Sequence, residues 1–533
     1  MSNGGLPPQV VDFIYELYQA MVANDVPAVR YMYYKQWKDL TKSFYENNEW
    51  PSAEAVAPIV EDNEVFLLCY RELCYRQILM NRKATLVHRI ESWNNYRNLF
   101  DMFLDGALTS KMALPLEWLY DMIEEFLYQW HNFYYDYKPQ DQAELELLRE
   151  NQNVWKVQTV LGYLTSFVER SQITRDLTTA QASSSQGQAT VQQPVHYTIL
   201  KALGAFSLVG LSRAQVLLAD YRYAIRVLDA VDIDDQRAIF TQVTPCAVTL
   251  FYNLGFAYLM SRRYADALQM FSRALSHRTA REVASSHAEE NMIMMTKRFD
   301  KIVALAALCQ RLSPGVKVDE SVRRLINNQL PEYDQDQPMA MFEELFTKSC
   351  PKFVNPATRP YLLPKPEGQD QINAKGPADA ARETLRVQLK WFLEDARQQV
   401  SLPTIRSVLK LYKSIPVDKL SRFCQMDMDH FRQNLVFIKA RSSQIVRGIS
   451  DGSAPIDGTR TSVSDVQFYV VGDKNPVNDM VHIVAGMSSR QQNNPRSFLD
   501  QSLNLQNFIN SLQKDMDPIE DEDLDEPMDD YDE

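Results

Sequence analysis

Apolar residues recur along most of the chain every three to four positions, the period of a helix with one buried face. In LPLEWLYDMIEEFLYQWHNFYYDY from Leu114, Trp118, Met122, Glu125/Phe126 and Gln129/Trp130 follow i, i+4, i+7/8, i+11/12 order, with Pro115 near the first turn. VFLLCYRELCYRQILM from Val65 and SWNNYRNLFDMFL from Ser92 carry aromatics at the same spacing. Residues 1–178 are therefore predicted to form an N-terminal domain of antiparallel helices. An aromatic stripe can also be a base-stacking platform, but with so few Lys or Arg interleaved it reads as core.

Two stretches break the period. TAQASSSQGQATVQQPV, 179–195, holds almost no large apolar residue and is predicted to be a low-complexity linker. Asn355 to Ala378 carries prolines at 356, 360, 364, 366 and 377, which bars a continuous helix.

Between these breaks, residues 196–350 carry a helix-pair pattern. In FYNLGFAYLMSRRYADALQMFSRAL, the positions Phe251, Leu254, Gly255, Tyr258, Tyr264, Ala267, Phe271 and Ala274 have tetratricopeptide-type spacing. Gly255 and Ala267 are small where two helices approach, and Phe251, Tyr258 and Phe271 fill the gaps beside them. DYRYAIRVLDAV from Asp220 repeats the second half of the pattern through Tyr221, Ala224 and Leu228. An irregular α-solenoid follows, and solenoids are scaffolds far more often than catalysts.

Further on, the period changes. Helices are readable in ETLRVQLKWFLEDARQQV, in LPTIRSVLKLYKSI, in PVDKLSRFCQ with Pro416 at its first position, and in DHFRQNLVFIKARSSQ with Asp429 as cap. DVQFYVVGD and DMVHIV, joined by a turn at 474–478, then alternate with period 2 and predict a β-hairpin. Three helices and a two-stranded wing make a winged helix, 401–486. SFLDQSLNLQNFINSLQ predicts one more helix, 497–514, with Leu505, Phe508, Ile509 and Leu512 on a stripe that needs a partner.

Charge refines this picture. The net charge of −13 is concentrated at the end of the chain, where Asp515 to Glu533 holds twelve acids and no Lys or Arg. The segment 515–533 is predicted to be a disordered, solubilising tail on a nearly neutral body. The cysteines at 69, 74, 246, 309, 350 and 424 form no C-x-x-C pair and read as reduced core thiols. The start, MSNGGLPPQVVDF, has no basic stretch followed by an apolar run, and the longest nonpolar run, Ala202 to Leu211, is short of a span. No membrane association is expected, and a cytoplasmic location is.

Catalytic chemistry finds no foothold in the motifs. The sequence lacks G-x-x-x-x-G-K-[ST], G-x-G-x-x-G, H-E-x-x-H and H-x-H. Its seven histidines, at 88, 131, 196, 277, 287, 430 and 482, are scattered through unrelated elements. Glu124/Glu125 and Asp234/Asp235 are sequence neighbours and so point apart, which reads as solvated faces. No catalytic, cofactor-binding or metal-ligating residue is expected. Ser401 to Ser450 does carry nine Lys and Arg against three Asp. Arg432, Lys439, Arg441 and Arg447 fall on or just after the third helix of the winged module, the position of a weak RNA contact.

A helical repeat running into a winged helix is the plan of the PCI domain, shared by the proteasome lid, the COP9 signalosome and eukaryotic translation initiation factor 3. The resemblance implies such a domain over 297–490, including the winged helix 401–486. WPSAEAVAPIV (50–60), VFLLCYRELCYR (65–76), LGAFSLVGLSRAQVLLADY (203–221), YNLGFAYLMSRRYADAL (252–268), MFEELFTKSCPKF (341–353) and LPTIRSVLKLYKSIPVDKL (402–420) closely resemble the L-subunit family of that initiation factor. The resemblance runs from about Trp37 to Ile483. It implies a non-catalytic scaffold in a complex that binds the small ribosomal subunit, helps assemble the pre-initiation complex and recruits mRNA. It also implies pairing with the K subunit and other PCI subunits, edge to edge through winged helices. The edge would be Val466, Phe468, Val470, Val481 and Ile483, and the helix with Leu505, Phe508, Ile509 and Leu512 would join a shared bundle. The alternatives are a scaffold of another PCI complex, of proteasome-lid or signalosome type, and an RNA-binding winged-helix protein.

Overall fold

A computed structural model of the chain describes residues 6–484 except 81–83, 106–111, 113, 138–141, 186–197, 236–237, 283–288, 314–315, 317, 330–337, 357–376, 400–401, 448–453, 463, 465 and 473–478. The predicted turn at 474–478, the stripe Leu505, Phe508, Ile509 and Leu512, and the segment 515–533 lie outside the described residues.

The chain opens with α1 (Pro8–Val22), α2 (Val26–Tyr31), a π-helical turn (Met32–Gln36), α3 (Trp37–Phe44), α4 (Ala53–Val56) and a 3-10 turn (Ala57–Val60). Longer helices follow: α5 (Glu64–Met80), α6 (Leu86–Asp105), α7 (Leu116–Tyr135), α8 (Gln142–Glu150), α9 (Val157–Ser171) and α10 (Ile173–Ser185). α7 carries the predicted stripe, with Trp118, Met122, Phe126 and Trp130 all buried and Pro115 as N-cap. α10 runs to Ser185, well into the predicted linker. Ile173 is buried at its start, and the Ala, Gln and Ser that follow are compatible with a helix once its first turn is anchored.

The solenoid begins with α11 (Ile199–Leu217) and α12 (Tyr221–Arg226), then α13 (Ile239–Gln242), α14 (Thr244–Met260), α15 (Tyr264–Glu282), α16 (Glu289–Leu312), α17 (Glu320–Gln329), α18 (Pro338–Ser349) and α19 (Pro377–Arg397). α14 and α15 are the predicted pair. A Cβ on Gly255 would stand 2.6 Å from Phe271 Cε1, so hydrogen is what lets the phenyl ring cross there. In the earlier repeat the Asp220 side chain accepts from the Tyr223 amide and caps α12, which is helical only as far as Arg226. Pro377, read as part of a loop, instead opens α19, where its fixed φ and missing N–H suit a first turn.

α11 meets the length and mean-hydropathy criteria for a membrane span, although its apolar run is interrupted; 78% of that window is buried inside the fold. Its glycines show why it is central. A Cβ on Gly204 would overlap Ser171 of α9, and one on Gly210 would press on Ile123 and Leu127 of α7. One hydrophobic core extends from Val10 to Ala396. The six cysteines are free, four of them buried. Burial pushes the Cys74 and Cys350 thiols up to about 12, so they stay protonated.

Of the paired acids, Glu124, Glu125 and Asp234 are not on solvated faces, whereas Asp235 is exposed. Glu124 lies 2.5 Å from Arg213 and 2.6 Å from Arg298. Burial alone would raise its pKa, but the two guanidinium groups hold it at about 2. Glu125 accepts from Gln129, and burial raises its pKa to about 7. Asp234 pairs with Arg273 and, at 3.2 Å, with Arg447. The neighbours do point apart, but Glu124, Glu125 and Asp234 point into packed structure, Glu124 and Asp234 toward arginines far away in sequence.

The last described elements are α20 (Leu402–Leu409), β1 (Ser414–Pro416), α21 (Val417–Phe423), α22 (Met428–Ser442), β2 (Ser443–Val446), β3 (Thr459–Ser462), β4 (Gln467–Val471) and β5 (Met480–Val484). The chain divides into two compact units, Met1–Leu402 with Asn434–Ser464, and Pro403–Gln433 with the described residues from 466 onward. The division falls within α22. β2 and β3, which the sequence did not announce, form a hairpin in the first unit. Gln444 binds the Ala265 amide and Ser313. Arg263 donates to the carbonyls of Pro455, Ile456 and Asp457 at 2.9–3.1 Å, tying the hairpin connection to the α14–α15 turn.

Candidate docking edge of the winged helix

The second unit has its own small core: Ile405 and Leu409 of α20, Ile415 of β1, Val417 and Leu420 of α21, Phe431 of α22 and Val481 of β5 are buried to 3% exposure or less. α21 begins at Val417 with Pro416 as N-cap, one residue later than expected, and Asp429 stands inside the first turn of α22 rather than at its cap. The predicted hairpin is present, with Phe468 opposite Ile483 and Val470 opposite Val481. β1 adds a third strand, Ile415 opposite Val481, giving the order β1-β5-β4. Backbone bonds complete the frame, from the Val417 amide to the Asp479 carbonyl and from the Ile483 amide to the Lys413 carbonyl, both 2.9 Å.

In this order β5 is central and β4 is an edge strand among the described residues. Of the five predicted edge residues, Val481, Val466 and Phe468 are buried, Ile483 is half-buried and Val470 is 44% exposed. Tyr469, Val471 and Val484, which were not singled out, are 48%, 48% and 45% exposed. Tyr469 stacks on His482 at 5.2 Å. The missed signal was the unbroken run Phe468-Tyr469-Val470-Val471: alternation predicts a polar second face, whereas a continuous apolar run belongs to a strand covered on both faces. An apolar edge with unpaired backbone groups is a template for another strand or an apolar partner.

The four predicted RNA-contact cations are distributed unevenly. Arg432 donates to Asp479 at 2.8 Å and lies 3.7 Å from Asp429. Arg441 binds Gln398 at 2.6 Å and Asp395 at 3.3 Å. The Arg447 side chain is 5% exposed and faces Asp234, while its amide donates to Asp266. Lys439 is exposed. No group of three or more His, Cys, Asp or Glu able to hold a metal ion occurs among the described residues.

Comparison with known proteins fits this architecture. A family model described as RNA polymerase I-associated factor PAF67 matches residues 88–504. A Nematostella vectensis protein named eukaryotic translation initiation factor 3 subunit L is 34% identical over 493 residues, covering 91% of this chain and 89% of its own. The proteins of that name from Xenopus tropicalis and Homo sapiens are 36% and 35% identical, each over 85% of this chain and 78% of their own. With more than a third of its residues shared over most of its length, the chain belongs to the family of eukaryotic translation initiation factor 3 subunit L.

Proposed function

We propose that the chain is a non-catalytic scaffold within initiation factor 3, where it helps assemble the pre-initiation complex on the small ribosomal subunit in the cytoplasm and supports recruitment of mRNA. The observation that carries this reading is the exposed apolar edge strand β4; in this reading it is the surface on which the K subunit or another PCI subunit docks. Three exposed apolar side chains in a row, Tyr469, Val470 and Val471, are costly to leave in water and become an asset when a neighbour covers them. A second docking element is the stripe Leu505, Phe508, Ile509 and Leu512, whose apolar spacing suits a helix bundle. Family membership supports both. Arg432, Arg441 and Arg447 act as internal ties, each engaged by carboxylates of this chain.

The test is affinity purification of the tagged full chain from its own cells, with subunits quantified by mass spectrometry after nuclease. Val470→Lys is expected to lower recovery of the neighbouring PCI subunit at least tenfold, and truncation before Ser497 to lower recovery of the others. Wild-type recovery by both variants would contradict the reading.

A further inference from the structure

The segment YMYYKQWKDLTKSF, Tyr31 to Phe44, presents two different faces. Val29, Tyr33 and Trp37 point inward and are buried. Tyr33 stacks on Trp118 at 4.9 Å and donates to Asp121 at 2.6 Å, while Trp37 stacks on Trp50 at 3.9 Å. The outward face carries Tyr31, Lys35, Lys38 and Lys42, all exposed, at spacings of four, three and four residues that keep them on one side of a helix. The π-helical turn Met32–Gln36 lies within this stretch, a backbone feature found disproportionately at functional positions.

The details of that face suit a flat, negatively charged ligand. Tyr31 is 53% exposed. Lys35 Nζ lies 5.7 Å from its ring centroid, and Lys38 Nζ lies 6.0 Å from that of Tyr34. Tyr31 and Tyr34, with Val26, Pro27 and Arg30, line an open depression of about 470 Å³. Arg30 is fixed at its rim by Glu117 at 2.6 Å. Asp39 is the one carboxylate among the cations of residues 30–42. Single-stranded nucleic acid is held by this combination, in which aromatic faces stack bases and a line of cations follows the backbone.

We propose that the Tyr31–Lys42 face binds single-stranded RNA, with a base stacked on Tyr31 in the depression and phosphates along Lys35, Lys38 and Lys42. An acidic protein segment would satisfy the lysines but leave the ring and the depression unused, which is why RNA is favoured. The proposal rests on the translation-factor reading for the presence of RNA, yet it concerns residues that the winged-helix edge does not include.

The test uses the purified full chain and a fluorescent single-stranded oligouridine 12-mer, titrated at several salt concentrations. Wild-type binding is expected to weaken with a log–log salt slope near −2, from about −0.7 per neutralised phosphate for three lysines. K35E/K38E is expected to weaken binding at least tenfold and flatten the slope, whereas Y31A weakens it roughly fivefold or more with the slope unchanged. Y31F should bind as wild type, and a duplex of equal length more weakly. Unchanged RNA affinity in K35E/K38E overturns the proposal. So does loss of binding only to a synthetic peptide of residues 515–533, which would assign the face to an acidic protein segment. Thermal midpoints and recovery of partner subunits are expected to be unchanged in these variants. If they fall together with RNA binding, the face is structural and the proposal fails, whereas loss of subunits in Val470→Lys alone bears on the assembly reading.

Discussion

At the scale of single residues, Gly255 is a tightly constrained position in the solenoid. A methyl group there would sit 2.6–3.0 Å from three atoms of the Phe271 ring, itself fully buried. Gly255→Ala is expected to cost about 1–3 kcal/mol through overpacking, read as a lower thermal midpoint, and Phe271→Leu in the same chain should restore part of it. Glu125 gives a pH signature. Its carboxyl is raised from an ordinary value near 4.5 to about 7 by burial, so the folded state binds the extra proton and its stabilising effect fades as pH rises through 7. Glu125→Gln removes this titration. The variant should gain on wild type by about 2–3 kcal/mol between pH 5 and pH 8 in chemical denaturation. The small-against-large arrangement at Gly255 was legible in the sequence because both helices are adjacent in the chain. The environment of Glu124 was not, because Arg213 and Arg298 reach it from helices that local spacing does not connect to it.

At the scale of elements, period 3.6 located the helices and period 2 located β4 and β5. β1 escaped notice because three residues, Ser414–Pro416, are too few to show alternation and their partner lies some 65 residues downstream. The β2–β3 hairpin escaped for a related reason: its strands are short, and β3 is exposed throughout. The edge strand carries the elementary prediction. Val470 is 44% exposed, so Val470→Lys should change the stability of the isolated chain by no more than about 0.5 kcal/mol in thermal melts while still reducing subunit recovery. A large loss of stability would mean that the residue serves the fold and not the interface.

At the scale of the whole molecule, the chain combines a helical solenoid with a small three-stranded winged unit, and membership of the subunit L family makes it part of a multi-subunit initiation factor. Scaffolds of this kind work by multivalency: several modest contacts add because each holds the others at high effective concentration. The docking role of β4 turns on whether the strand is covered in the assembled factor. Hydrogen–deuterium exchange on the free chain and on the native complex answers this. A docked β4 predicts fast exchange of the Gln467–Val471 amides that do not pair with β5 in the free chain, and strong protection of the same amides in the complex. Equal exchange in the two states, with protection appearing elsewhere, would contradict it.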